Sequence, residues 1–303
     1  MALPPTSSAA STAVDLSRLP PPDIVEPVNY EAVLAQMTAR MQALVPGFDA
    51  LTSADPAIKV LEIAAYEKTI LFQRVNDAAR ATMVGYARGA DLDNLAALFG
   101  LTRLLIEEAD EALGTPAVYE DDDRLRRRVL LAPDSFSVAG PATAYVFHAL
   151  SAEASLVDAA ASSPEPGEVV VALLGSEGDG TVAADIVEAV RQVLADDEVR
   201  PLTDSVSVVS ASIVTVDVAA ELVLYRGPDA ALILTTARAA LDDLLARHRR
   251  IGRDLSRTAI IAALHVAGVQ RVELTTPAQD VAIGPTEAID PGAIALTTSV
   301  FDE

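Results

Sequence analysis

The chain has 303 residues, enough for two or three domains that each bury a core, and is 51% hydrophobic with 4% aromatics and no Trp, which suits aliphatic packing better than aromatic-lined pockets. Its formal net charge of −22 argues against nucleic acid as a partner, because such binding depends on Lys and Arg displacing counterions from phosphates. The absence of Cys excludes disulfides, thiolate metal sites and cysteine nucleophiles.

Residues 1–28 are rich in Ala, Ser, Thr and Pro, and Pro20, Pro21 and Pro22 force an extended path. They read as an arm, either a disordered tail or a segment that orders on a neighbouring subunit. No basic residue precedes Arg18, so no signal peptide is expected. No apolar stretch reaches the roughly 18 residues needed to span a bilayer, and a soluble protein without membrane insertion is expected.

Val33, Leu34, Met37, Met41 and Leu44 recur at helical spacing over 29–45, and Pro46-Gly47 ends that helix. Asp55-Pro56 then supplies a cap followed by proline at the first helical position, opening a helix that runs to about Gly85. Its apolar residues, including Val60, Leu61, Ala65, Leu71, Phe72 and Val75, cover more than one stripe, so it needs more than one packing partner. After Gly89, Asp91 is placed to cap a short helix carrying Leu92, Leu95, Leu98 and Phe99 and closed by Gly100. Residues 107–128 are strongly charged, and a domain boundary is placed there near Thr115.

Ser137-Val138-Ala139-Gly140-Pro141 turns into a helix carrying Ala144, Val146, Phe147 and Leu150. Segments 155–161 and 168–174 flank a Pro164-Glu165-Pro166-Gly167 turn and read as a hairpin. A Gly-rich loop over 175–180 leads to a helix with Ile186, Val187, Val190, Val193 and Leu194. From Val206 to Leu224 the residues alternate, but the phase changes between Val208 and Val214, which predicts a bulge or a switch between two sheets there. Gly227-Pro228-Asp229 opens a helix to about His248, Asp254-Leu255-Ser256 caps another through Val266, and a strand follows over 271–275. A helix running into a strand that ends at a proline occurs twice, over 144–164 and 259–277, a weak internal repeat. The fold class expected is α+β: an N-terminal helical region over 29–114, then two α/β modules over 115–212 and 213–303 with mixed or antiparallel sheets.

Catalytic constellations are missing. The Gly-rich loop lacks phosphate-binding spacing, and Glu177 and Asp179 would repel a phosphate, so it reads as a surface turn. The acidic run from Tyr119 to Asp123 lacks the calcium-loop pattern and reads as a solvated linker paired to the arginines that follow it. His148, His248 and His265 each sit in an expected helix without a second His three or four residues away. No catalytic, cofactor-binding or metal-binding residue is nominated, and no cofactor is expected. Against the acidic background, Arg124 to Arg128 and Arg247 to Arg253 form two basic spots, suited either to docking acidic surfaces of sister subunits or to local salt bridging.

Several motifs stand in order: Asp55-Pro56-Ala57-Ile58-Lys59-Val60-Leu61-Glu62, Gln73-Arg74-Val75-Asn76, Gly89-Ala90-Asp91-Leu92-Asp93-Asn94-Leu95, Ser135-Phe136-Ser137-Val138-Ala139-Gly140-Pro141, Val199-Arg200-Pro201-Leu202-Thr203-Asp204 and Gly252-Arg253-Asp254. Together they resemble the baseplate assembly protein J family of P2-like contractile-tailed phages. The resemblance implies a non-enzymatic wedge subunit of the virion tail baseplate, assembled in the bacterial host cytoplasm. It implies contacts with other copies of itself, other wedge proteins, the central hub or spike, and sheath and tube proteins, linking the hub to sheath and tail fibres. A hub or fibre-attachment protein, or an acidic hydrolase, are the alternatives. The candidate interaction residues are Leu61, Ala65, Phe72, Arg74 and Asn76 on the long helix, and Arg124, Arg127, Arg128, Arg249 and Arg250 in the basic spots.

Overall fold

The computed structural model describes residues 28–48, 55–137, 140–196, 199–201, 203–227 and 229–300. The expected arm lies outside them except for Val28. The described residues form two compact units, 28–102 and 103–300.

In the first unit, α1 (Tyr30–Leu44) starts where the Asn29 side chain accepts the Ala32 N–H at 3.1 Å. The 26-residue α2 (Pro56–Ala81) starts where Asp55 accepts the Ala57 N–H at 2.8 Å, with Pro56 occupying a position whose N–H has no helical partner. It ends four residues short of the expected Gly85: Thr82 caps it, and the Ala87 N–H donates to Met83 in a separate turn. α1 packs along α2. The short α3 (Ala90–Ala97) begins at Gly89, whose φ of 51° lies in the left-handed region open to glycine. Asp91 is therefore not the cap, as the sequence suggested. It sits with Asp93 in the first turn, where a carboxylate faces the positive end of the helix dipole.

The second unit opens with an antiparallel ribbon of β1 (Leu105–Glu107) and β2 (Val118–Tyr119), which straddles position 115. The acidic run that read as a linker starts a helix instead. Asp121 accepts the Arg124 N–H at 2.8 Å and caps α4 (Asp122–Ser135), whose buried side is formed by Leu125, Val129, Leu131 and Ala132. Charge concealed this apolar stripe, because an acidic run precedes Leu125 and three arginines separate it from Val129.

α5 (Ala142–Ala152), β3 (Leu156–Ser162), β4 (Glu168–Gly175), α6 (Ala184–Leu194) and β5 (Ser205–Ser210) follow. The sheet order is β3-β4-β5, with β3 antiparallel and β5 parallel to β4. α5 covers β3, α6 covers β5, and α4 stacks on α5. The phase change in the long alternating segment is a switch between sheets: the Ala211 N–H still donates to Leu173 at 2.8 Å, whereas the Ser212 N–H donates to Thr286 at 3.0 Å.

The second sheet has β6 (Ser212–Leu224) between β7 (Val269–Thr276), antiparallel, and β8 (Glu287–Val300), parallel. α7 (Ala230–His248) and α8 (Arg257–Leu264) close its core over Val216, Val218, Leu222 and Leu224. β8 has no counterpart in the sequence reading, since Pro291-Gly292 interrupts its alternation. Proline is tolerated in an edge strand, and the register shifts beside it. There Asp217 accepts the Ala293 N–H at 2.7 Å, and a Cβ on Gly292 would collide with the same carboxylate. The two helix-strand-proline segments both place their strand, β3 or β7, antiparallel to the central strand of its sheet. The strand orders differ, however, because the chain's first strand is at the edge in one sheet and central in the other.

Ala160, Ala172, Leu174, Ala211, Ile251 and Ala288 form a small core where the two sheets of this unit meet. Among the described residues no helix is long and apolar enough to cross a membrane.

Candidate functional site

Two groups of side chains separate in this fold: an apolar face turned to solvent and a set of arginines turned inward. Helix α2 has 3.6 residues per turn, so positions three and four apart share a face. Ala65 and Asn76 are buried on one side and Leu61 and Thr69 half-buried near them. On the other side Val60, Ile63 and Leu71 are 66%, 65% and 60% exposed, and Ile70 and Val75 are also exposed. Contiguous apolar surface of this kind marks an interaction site in a soluble protein. Of the helix residues singled out in the sequence, Arg74 lies on this face, whereas Ala65, Phe72 and Asn76 share the opposite side, where Phe72 stays partly exposed with Lys68 Nζ 5.1 Å from its ring.

The arginines occupy the second unit. Arg128 bonds to Glu120, with both side chains buried, and its Nε donates to Ser151 at 3.2 Å. Glu120 accepts the Leu104 N–H at 3.2 Å, while Arg103 donates to its carbonyl at 2.8 Å, so this pair ties α4 to the ribbon. Arg124 donates to the Ala154 carbonyl at the start of the first sheet. Burial lowers the pKa of Arg124, and Glu120 and Asp121 oppose that shift.

Asp158 on β3 is the second centre. Its carboxylate accepts from Arg127, from the Ala159 N–H at 2.9 Å and from the Ile251 N–H at 3.0 Å, with Arg250 Nη1 3.8 Å away. Arg127 and Arg250 also donate to the Val157 carbonyl, at 3.2 and 3.4 Å. Arg249 donates to the Gly178 carbonyl at 2.7 Å and lies 3.6 Å from Asp290. Arg249, Arg250 and Ile251 thus fasten the Gly-rich loop and β3 to the second sheet. The five arginines nominated in the two basic spots all make contacts within the chain, the local bonding that their sequence pattern admitted.

Among the described residues, groups capable of chemistry do not converge. Burial and the hydrogen bond that Tyr145 donates to Asp204 at 2.8 Å push its hydroxyl pKa up, away from the range of a nucleophile. His148 is lowered by burial and meets Phe147 edge-on at 5.3 Å; His248 is also lowered by burial, and its ring contacts the Leu244 carbonyl at 3.0 Å. No group of three or more His, Asp or Glu that could hold a metal occurs among the described residues.

The sequence reading did not single out Asp158 or Glu67, and it placed Glu120 only within an acidic run paired to the following arginines. Asp158 carried a usable signal: it shares strand parity with Leu156 and Ala160, so a charge falls at a core position. Glu67 stands seven residues before Arg74, which puts both on one helical face.

Comparison with known proteins matches this architecture domain by domain. The Baseplate J-like N-terminal domain matches residues 53–110, the Baseplate J-like central domain 137–210, and the Baseplate J-like protein C-terminal domain 216–297. The chain is 40% identical over 284 residues to baseplate protein J of Escherichia phage P2, covering 91% of this chain and 94% of that protein.

Proposed function

The chain belongs to the Baseplate J-like family and is a structural, non-enzymatic protein of a phage tail baseplate, and from that premise we propose that it serves as a wedge subunit. In this reading the helical unit bundles with a partner through α2, and the α/β unit makes ring contacts between neighbouring wedges. The wedges surround the hub and connect it to the sheath and peripheral fibres. Subunits assemble in the host cytoplasm before the tail is complete. A signal at the periphery then reaches the sheath by rearrangement of interfaces, with no bond chemistry.

The observation that carries the reading is the exposed face of α2. A 26-residue helix that buries one side and leaves Val60, Ile63 and Leu71 in water has surface left for a neighbour. Ile63→Asp and Leu71→Asp should each leave the chain folded, since both positions are exposed, yet keep it out of assembled tails. Purified particles tested by immunoblot and by electron microscopy with a labelled chain check this. Normal incorporation of both variants would refute α2 as the bundling face.

A further inference from the structure

We propose that the cavity enclosed by Arg124, Arg127 and Arg128 binds one monatomic anion of the size of chloride, held as a fixed counter-ion where α4 meets α5 and β3. The three arginines stand at positions i, i+3 and i+4 of α4, which puts them on one helical face. With Leu150 of α5 and Val157 of β3 they line a cavity of about 10 Å³, room for a single atom-sized guest and too little for a sulfate or phosphate.

Two carboxylates serve four guanidiniums here. Glu120 bonds to Arg128, and its Oε2 lies 4.0 Å from Arg124 Nε. Asp158 bonds to Arg127 and lies 3.8 Å from Arg250 Nη1. Asp121, which also acts on Arg124, is engaged at the start of the helix, where it accepts that residue's backbone N–H. The Arg128 and Glu120 side chains are buried, so solvent screens little of the positive excess. Among the described residues Arg124 Nη2 is buried without a hydrogen-bond partner, a donor whose desolvation nothing in the chain offsets. A water molecule is the competing guest, but it must donate as well as accept. The carbonyls that these arginines reach, of Ala154 and Val157, already accept guanidinium N–H groups. The unpartnered buried oxygens Glu120 Oε2 and Ser155 Oγ belong to residues outside the lining. A cavity walled by cationic donors and by Leu150 and Val157 therefore suits an anion, which needs only to accept.

The test is urea unfolding of the purified full chain at constant ionic strength, with chloride exchanged for gluconate, an anion too large for the cavity. Raising chloride from zero to about 0.3 M should increase the folding equilibrium constant at least about fivefold, and bromide should substitute for it. Arg124→Gln should remove most of that dependence, while Arg238→Gln, in a surface pair with Asp242, should keep it. Crystals of the wild-type chain grown in bromide should show anomalous scattering between the three guanidiniums, a readout that needs no variant. Equal stability in chloride and gluconate, or an unaltered dependence in Arg124→Gln, would overturn the proposal. So would a cavity that holds water while bromide sits only on the surface.

Discussion

In the helical unit, Ile63 and Leu71 sit largely in water, whereas in the α/β unit Glu120, Arg128 and Asp158 are buried at 1%, 4% and 4% exposure. One unit leaves apolar groups outside and the other takes charges inside. Exposed apolar area forgoes folding stabilisation and remains available for association. Buried charges do the reverse: they add little net stability over an apolar substitute, but removing one partner strands the other, so they fix how the pieces of the unit meet. The helical unit is therefore built for incompleteness, and the α/β unit for internal definition.

The most severe way to break this contrast is Asp158→Ala, which strands Arg127 and the Ile251 N–H together with nearby Arg250. We expect a loss of about 3–5 kcal/mol in urea unfolding of the full chain. A loss below about 1 kcal/mol would show that the inward charges are incidental. A matched pair of leucines compares the units directly. Leu241→Ala in the core under β6 should cost about 2–5 kcal/mol. Leu71→Ala, in dilute monomeric protein, should change stability by no more than about 0.5 kcal/mol.

Gly292→Ala tests a smaller device. The new Cβ displaces the Asp217 carboxylate from the Ala293 N–H, at a cost of about 1.5 kcal/mol. In an Asp217→Ala background the same change should cost much less, which a double-mutant cycle would reveal.

The smallest effect concerns pH. Burial lowers the His148 pKa, so the unfolded chain binds more protons as pH falls through the ordinary histidine value near 6.5. Stability from this group is complete above that value and is lost on acidification below it. His148→Phe should flatten part of the fall in urea midpoint between pH 7.5 and 5.5, leaving the share due to His248, which burial also lowers. An unchanged slope would remove His148 from the account.

Most elements were legible because their signals are local. Asn29, Asp55, Asp229 and Ser256 cap α1, α2, α7 and α8 through bonds to the N–H two or three residues on, and residues that close together carry their own instructions. The failures have equally specific causes. The stripe of α4 was concealed by the acidic run before Leu125 and the three arginines after it. β8 was concealed by Pro291-Gly292, which breaks the alternation that identifies a strand and is tolerated because β8 has a pairing neighbour on one side only.

Among the candidate residues, the broad apolar content of α2 was visible from its periodicity, but which side was covered was not. Sequence fixes the angle between Ala65 and Leu71 around the helix, yet only the docking of α1 decides that Ala65 is inside and Leu71 outside. The arginines show the same limit more strongly. Arg250 reaches Asp158 across 92 positions of chain, and no local pattern encodes such a pairing. Most caps, the turns and the change of phase near Ala211 follow from the sequence alone, since each depends on neighbours a few residues away. Which charges are consumed internally and which apolar face remains for a partner were decided by the tertiary structure, because burial depends on contacts that the chain makes only when distant segments meet.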